Sequence, residues 1–197
     1  MSDGVSLAGA VLVGGASLRM GRDKAGLQIP GQPTMAERMV GILGQRCDPV
    51  LVMAAQGQPL PTLPARIIRD ELRGQGPLAA TGWALHAAAR SGSRLAFVCA
   101  VDMPFLTVEL IDDLTRMALE TGADVVLPWD GQDHYLAAVY RTDLAERVDA
   151  LMAKGERTMR ALADSSDTQR IVRLDARDSK ALTNVNTEAD LSALVRA

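Results

Sequence analysis

Leu7-Ala8-Gly9-Ala10-Val11-Leu12-Val13 runs directly into Gly14-Gly15-Ala16-Ser17-Leu18-Arg19-Met20-Gly21-Arg22-Asp23-Lys24. The first seven residues are uncharged and do not alternate with polar ones, the pattern of a strand buried on both faces. Behind it come three glycines (14, 15 and 21), one hydroxyl and three cations (Arg19, Arg22 and Lys24). Glycine lets backbone N–H groups approach phosphate oxygens closely, while Arg and Lys neutralise their charge. The spacing is not that of a Walker A loop, because Gly21 is followed by Arg22-Asp23 instead of Lys-Ser/Thr. Nor is it a G-x-G-x-x-G dinucleotide fingerprint. A glycine-rich turn with solvated charges is the competing reading. Arg19 and Lys24 just past a strand end favour a phosphate site.

Working outward, strand-like and helix-like segments alternate. Further strands are expected at Val50–Ala54, Arg66–Arg69, Leu95–Val101, Asp124–Leu127, His134–Tyr140 and Arg170–Leu174. Helices are expected at Thr34–Arg46, Pro77–Arg90, Thr107–Glu120, Asp143–Lys154 and Thr187–Val195. Thr34 with Glu37, and Asp143 with Glu146, have capping-box spacing. Thr107 caps its helix and Gly122 stops it. Short doubly buried strands alternating with helices predict one doubly wound, Rossmann-like α/β domain over residues 1–197, a mostly parallel sheet with helices on both faces. Ligands of such sheets bind beyond the carboxyl ends of the strands. The residues to watch therefore follow Val13, Arg69 and Val101.

The 197 residues are 48 % hydrophobic and 23 % charged, which excludes wholesale disorder, collagen and coiled coil. With two residues each of Trp, Tyr and Phe, the core must be filled by aliphatic side chains and Met. A net charge of −3 argues against a nucleic-acid or anionic-membrane footprint, though not against a local phosphate pocket. Cys47 and Cys99 form neither a zinc ligand set nor a disulfide framework, so a reducing cytoplasm is the simplest expectation. No stretch reaches the roughly 18 apolar residues of a membrane helix. Ala8-Gly9-Ala10 superficially resembles a signal cleavage site but lacks a basic region before it.

Two aspartates stand at strand ends. Asp70 follows Ile67-Ile68-Arg69, and Asp102 follows Leu95–Val101 and precedes Met103-Pro104. A carboxylate there is costly unless it meets a cation or hydrogen-bond donors. Magnesium in phosphoryl and nucleotidyl transfer is held by one or two carboxylates with phosphate oxygens and waters. Turn or cap roles are the alternative for both. In the C-terminal half, Gly155-Glu156-Arg157-Thr158-Met159-Arg160 reads equally as a helix-to-helix turn with exposed charges or as a phosphate contact. Asn184-Val185-Asn186-Thr187 reads alone as turn and cap residues. His134 and His86 read as surface or structural residues, because no Cys or Ser partner accompanies them.

Taken together, Leu12-x-Gly14-Gly15-x-Ser17-x-Arg19-Met20-Gly21-x-Asp23-Lys24 resembles the signature of molybdenum cofactor guanylyltransferases, relatives of the nucleotide-sugar pyrophosphorylases. Asp102-Met103-Pro104 is similar to that family's metal-binding Asp-x-Pro, and Asp70 with Gly76-Pro77-Leu78-Ala79 to a second segment. Gly155-Glu156-Arg157 and Asn184-Val185-Asn186-Thr187 also resemble its segments, and the matches run in order from Leu12 to Leu191. The resemblance implies a nucleotide-diphospho-sugar-transferase-like fold that joins GMP from GTP to molybdopterin and releases pyrophosphate. It implies nucleotide contacts from Leu12, Val13, Gly14, Gly15, Lys24, Asp70 and Asp102, with Mg²⁺ on Asp102. Arg19, Lys24 and Asp102 would be the catalytic set, and Asn184, Asn186 and Arg157 would meet the pterin. Transient contact with molybdenum-insertion or acceptor enzymes follows from that role. The chain departs from the family pattern at Val13 (usually Ala), Ala80 (often Gly) and Met53-Ala54-Ala55 (often Asn-Ala-Asn). A cytidylyltransferase of the same pterin is the nearest alternative, but its loop resembles Leu-Ala-Ala-Gly. A sugar-phosphate nucleotidyltransferase and a non-catalytic nucleotide-binding or cofactor-chaperone module are more distant ones.

Overall fold

The computed structural model describes residues 6–14, 24–28, 31–70, 75–165, 171–175, 179–185 and 190, with backbone alone for Lys24, Asp70, 171–175 and Ser179. Its seven strands are β1 (Leu7–Leu12), β2 (Val50–Ala55), β3 (Arg66–Asp70), β4 (Leu95–Ala100), β5 (Val125–Trp129), β6 (Ala137–Arg141) and β7 (Ile171–Asp175). They form one sheet in the order β3-β2-β1-β4-β6-β5-β7. Every pairing is parallel except the two made by β6, which runs antiparallel to both β4 and β5. The doubly wound, mostly parallel sheet expected from the sequence is present.

Among the described residues five α-helices cover it: α1 (Met35–Leu43), α2 (Gly76–Arg90), α3 (Val108–Thr121), α4 (Ala145–Ala153) and α5 (Met159–Asp164). Alternation along β1 shows how both faces are used. Leu7, Val11 and Val13 pack with Met39 and Leu43 of α1 and Ile111 and Leu114 of α3. Ala8, Ala10 and Leu12 pack with Leu78 and Leu85 of α2, Val148 of α4 and Leu162 of α5. All six residues of β1 are buried, so its continuous apolar run belongs to a central strand.

Local chemistry sets the helix ends. Thr34 accepts from the Glu37 N–H while the Glu37 carboxylate accepts from Thr34 N–H at 2.8 Å, the expected capping box. Thr107 caps α3, and Gly122 ends it in a left-handed conformation (φ 61°). Asp143 differs from the expectation. It lies in a 3-10 turn, Thr142–Leu144, and its carboxylate pairs with Arg141, so α4 begins without a side-chain cap. The sequence reading also missed α5, whose cap is Thr158 and whose inward residues are Met159 and Leu162. The expected final helix, Thr187–Val195, lies outside the described residues apart from position 190.

Candidate active site

The strand order reverses direction between β1 and β4, since β2 and β3 lie on one side of β1 and β4 to β7 on the other. A crevice opens at such a point, at the carboxyl ends of the strands. Gly14 and Asp102 flank it.

On the β1 side, the backbone N–H groups of Val13 and Gly14 both donate to the Met53 carbonyl, at 3.0 and 3.2 Å. They hold the start of the glycine loop against β2. A Cβ on Gly14 would lie 3.1 Å from the backbone nitrogen of Ala55, so even alanine would push the two strand ends apart. Leu12 and Val13 are buried. A 3-10 turn, Lys24–Gly26, is anchored by the buried Ala25 and Leu27. Asp70 is the last residue of β3, aligned with Ala55. Gly15, Arg19 and Asn186, like the side chains of Lys24 and Asp70, lie outside the described residues.

Sequence reasoning missed the brace beneath this loop. The Gln58 amide donates from Nε2 to the Val13 carbonyl and accepts from the Ala55 N–H at Oε1, both at 3.0 Å. Arg69 of β3 in turn donates from Nη1 to the carbonyls of Ala55 and Gln58, at 3.1 and 2.9 Å. One amide thus joins the ends of β1 and β2, and one guanidinium ties the end of β2 and the Gln58 backbone to β3. A glutamine in a Gly- and Pro-rich loop carries no spacing signal that would reveal this.

On the β4 side, Val101 N–H donates to the Leu12 carbonyl at 3.2 Å and continues the β1–β4 ladder by one residue. Asp102 follows, half-buried, with its Oδ1 atom buried. The segment behind it is fixed by the buried Met103 and Leu106 and by Arg38, whose Nε donates to the Pro104 carbonyl at 2.7 Å. Cys99, inside β4, is fully buried, and burial keeps its thiol protonated far above the usual range. Cys47 is pushed up to about 12 by the same cause. Both thiols are buried and favour the protonated form at neutral pH. Among the described residues no group of three or more His, Cys, Asp or Glu side chains could hold a metal by itself.

Magnesium does not require such a cage. It keeps its waters and binds through one or two carboxylates plus substrate phosphates. A hard carboxylate at the crevice, half-buried with its Oδ1 atom buried, is the kind of donor that mode uses.

Asp102 also borders a cleft of about 790 Å³ that Asn184, Arg157 and His134 line with it. Three links assemble this cleft. The Val185 N–H donates to the Asp102 carbonyl at 2.7 Å, which draws Asn184 to the end of β4. Lys180 Nζ sits 5.2 Å from the centre of the Phe105 ring, holding the same C-terminal segment. Gly76 (φ 84°) opens α2 against the backbone of Arg157, where a Cβ would come within 3.3 Å of the Arg157 carbonyl. Arg157 itself donates to the carbonyls of Met152 and Glu156 from Nη1. Asp102, Arg157 and Asn184, far apart in sequence, therefore line one cleft.

The MobA-like NTP transferase domain matches residues 9–171. A "Probable molybdenum cofactor guanylyltransferase" of Mycobacterium marinum is 70 % identical over 196 residues, covering 99 % of this chain and 96 % of that one. A protein of the same description from Mycobacterium avium is 65 % identical over 198 residues, covering 100 % and 99 %. Among solved structures, the molybdopterin-guanine dinucleotide biosynthesis protein A of Archaeoglobus fulgidus superposes with a TM-score of 0.74 at 21 % identity, covering 94 % of this chain and 95 % of that one. The 2-C-methyl-D-erythritol 4-phosphate cytidylyltransferase of Thermus thermophilus superposes with 0.72 at 19 %, covering 98 % and 99 %. At those identities the structural likeness concerns the nucleotidyltransferase fold alone. Sequence and fold together assign this chain to the molybdenum cofactor guanylyltransferase family, built on a MobA-like NTP transferase domain.

Proposed function

We propose that this protein transfers GMP from GTP to molybdopterin, forming the guanine dinucleotide cofactor and releasing pyrophosphate. The N-terminal half of a single domain binds the nucleotide and the C-terminal half binds the acceptor. The observation that carries this reading is the shared cleft. Asp102, at the crevice beside Gly14, also borders the volume that Asn184 and Arg157 line.

The pterin phosphate is the nucleophile and attacks the α-phosphorus of GTP, with pyrophosphate leaving on the opposite side. It is anionic at neutral pH, so no general base is required. Catalysis rests on positioning and on neutralising charge. The backbone of Leu12, Val13, Gly14 and Gly15 seats the nucleotide, while Arg19 and Lys24 balance the triphosphate. Asp70 adds a further nucleotide contact. Asp102 would hold Mg²⁺, which when bound supplies charge neutralisation across the phosphate oxygens. Asn184 and Asn186 offer neutral donors and acceptors to the pterin, and Arg157 a cation to its phosphate.

The same reading puts the enzyme in the cytoplasm, in transient contact with enzymes that insert molybdenum or receive the cofactor. No described helix is long and apolar enough to cross a membrane.

The test is to incubate the protein with molybdopterin and Mg²⁺ and each of the four nucleoside triphosphates in turn. Pyrophosphate release with GTP is expected to exceed that with CTP, ATP or UTP by orders of magnitude. Preference for CTP would turn the reading toward the cytidylyltransferase. A Lys24→Ala variant is expected to lose GTP affinity by about 1.5–3 kcal/mol, the worth of a hydrogen bond to a charged group.

A further inference from the structure

Because β6 runs antiparallel to its neighbours, it begins at the end of the sheet where β1 and β4 finish. The loop between β5 and β6 is thereby brought to the cleft, and it carries Asp130, Asp133 and His134 to its lining. His134 Nε2 lies 2.7 Å from Asp130 Oδ1, and the two side chains are only 12 % and 17 % exposed. The loop around them is tied down. Trp129 bridges Asp133, and the Tyr135 hydroxyl donates to the Asp133 carboxylate at 3.1 Å. The buried Tyr140 hydroxyl donates to the Tyr135 carbonyl at 2.6 Å. An imidazole held by a carboxylate on a braced loop, lining a substrate-sized cleft, is more than is needed to close a turn.

In the neutral imidazole, donation of Nε2–H to Asp130 leaves Nδ1 as a lone-pair acceptor. The cleft is divided in charge along the chain. Arg157 and Arg160 come from the segment at the start of α5, while the His134 loop contributes Asp130 and Asp133. The carboxylates that flank the imidazole repel a phosphate, while the imidazole lone pair suits a heterocycle edge rich in N–H donors. The pterin ring has such an edge.

We propose that His134 is a further binding residue of the acceptor site, accepting a hydrogen bond from an N–H group of the pterin ring. Asp130 is its positioning residue, fixing the tautomer. This inference rests on the function proposed above and adds the ring contact to it.

The experiment measures steady-state transfer with GTP and molybdopterin, GTP binding by titration without acceptor, and melting temperature. His134→Ala is expected to raise KM for molybdopterin about tenfold, the loss of roughly one buried hydrogen bond. Its kcat and GTP affinity should stay within about twofold of the parent. His134→Gln, which keeps an acceptor, should recover part of the loss, and it serves as the probe if the alanine variant does not fold. Asp130→Asn should raise the same KM by less, because an amide can donate to Nε2 and release the tautomer. Unchanged molybdopterin KM in folded His134 variants, alongside normal parent turnover, would overturn the contact alone. A parallel loss of GTP affinity would also overturn it, marking His134 as structural. A parent enzyme that binds GTP but forms no product with molybdopterin would overturn the function and this contact together.

Discussion

The Val185 N–H donates to the carbonyl of Asp102 across 2.7 Å, joining the C-terminal asparagine segment to the turn at the end of β4. Eighty-odd residues of chain separate the two. The bond makes the carboxylate proposed for the metal and Asn184, proposed for the pterin, parts of one local structure, and couples the placement of one to the other.

Asp102→Asn preserves size and removes the charge. The Val185 bond uses the backbone carbonyl, so the variant should fold and keep the C-terminal segment in place. Transfer should fall to background at ordinary Mg²⁺, with melting temperature unchanged within a few degrees. Kinetics across a Mg²⁺ titration, beside a melting curve, checks both.

Gln58→Ala removes the amide that joins Val13 to Ala55. Two partly buried hydrogen bonds are lost, at about 1 kcal/mol each, so the melting temperature should drop. Because the bonds hold Gly14 at its distance from β2, GTP affinity should weaken more than molybdopterin KM. Calorimetric GTP titration against acceptor kinetics separates the two effects. An equal change in both would mark Gln58 as a general brace.

Asn184→Ala combined with Asn186→Ala should leave GTP affinity nearly unchanged while acceptor-dependent turnover drops. If the pair only shapes the turn into the following segment, the double variant would instead lose roughly 1–2 kcal/mol of stability, the worth of a lost cap. Its folded fraction would then turn over normally. Melting temperature, GTP binding and turnover on one preparation distinguish these outcomes.

The buried thiols predict a pH response. Cys47 has its folded pKa raised to about 12 from an ordinary 9.0, so above pH 9 the unfolded chain releases a proton that the folded chain keeps. The protonated-thiol contribution to stability is full below pH 9 and is lost progressively as pH rises toward 12. Denaturant unfolding across that range should therefore show less loss for a Cys47→Ala variant than for the parent. Native protein should also resist thiol alkylation at pH 8 until denaturant is added.

How far the site can be read from sequence depends on the range of the chemistry. The uncharged run Leu7–Val13, the Thr34 box and the left-handed Gly122 are local features, and each dictates its structure where it stands. The place of Asp102 just past a buried strand was legible for a similar reason, since the apolar run Leu95–Val101 stops at it. Asp143 has the spacing of a cap, but Arg141 two residues before it offers a stronger partner, and the carboxylate turns that way. His134 shows the larger gap. Its place in the cleft follows from the antiparallel direction of β6, a property of pairing between distant strands that no local pattern encodes. Gln58 and Arg69 act through backbone groups of other strands, and are equally silent in the sequence.

The most direct test uses GTP labelled at either the α- or the γ-phosphorus, incubated with the protein, molybdopterin and Mg²⁺. Nucleotidyl transfer predicts that label from the α-position appears in the pterin product, and that γ-label leaves entirely as pyrophosphate. Label reaching the pterin from the γ-position, or release of γ-label as inorganic phosphate with no labelled product, would contradict attack at the α-phosphorus and the function built on it.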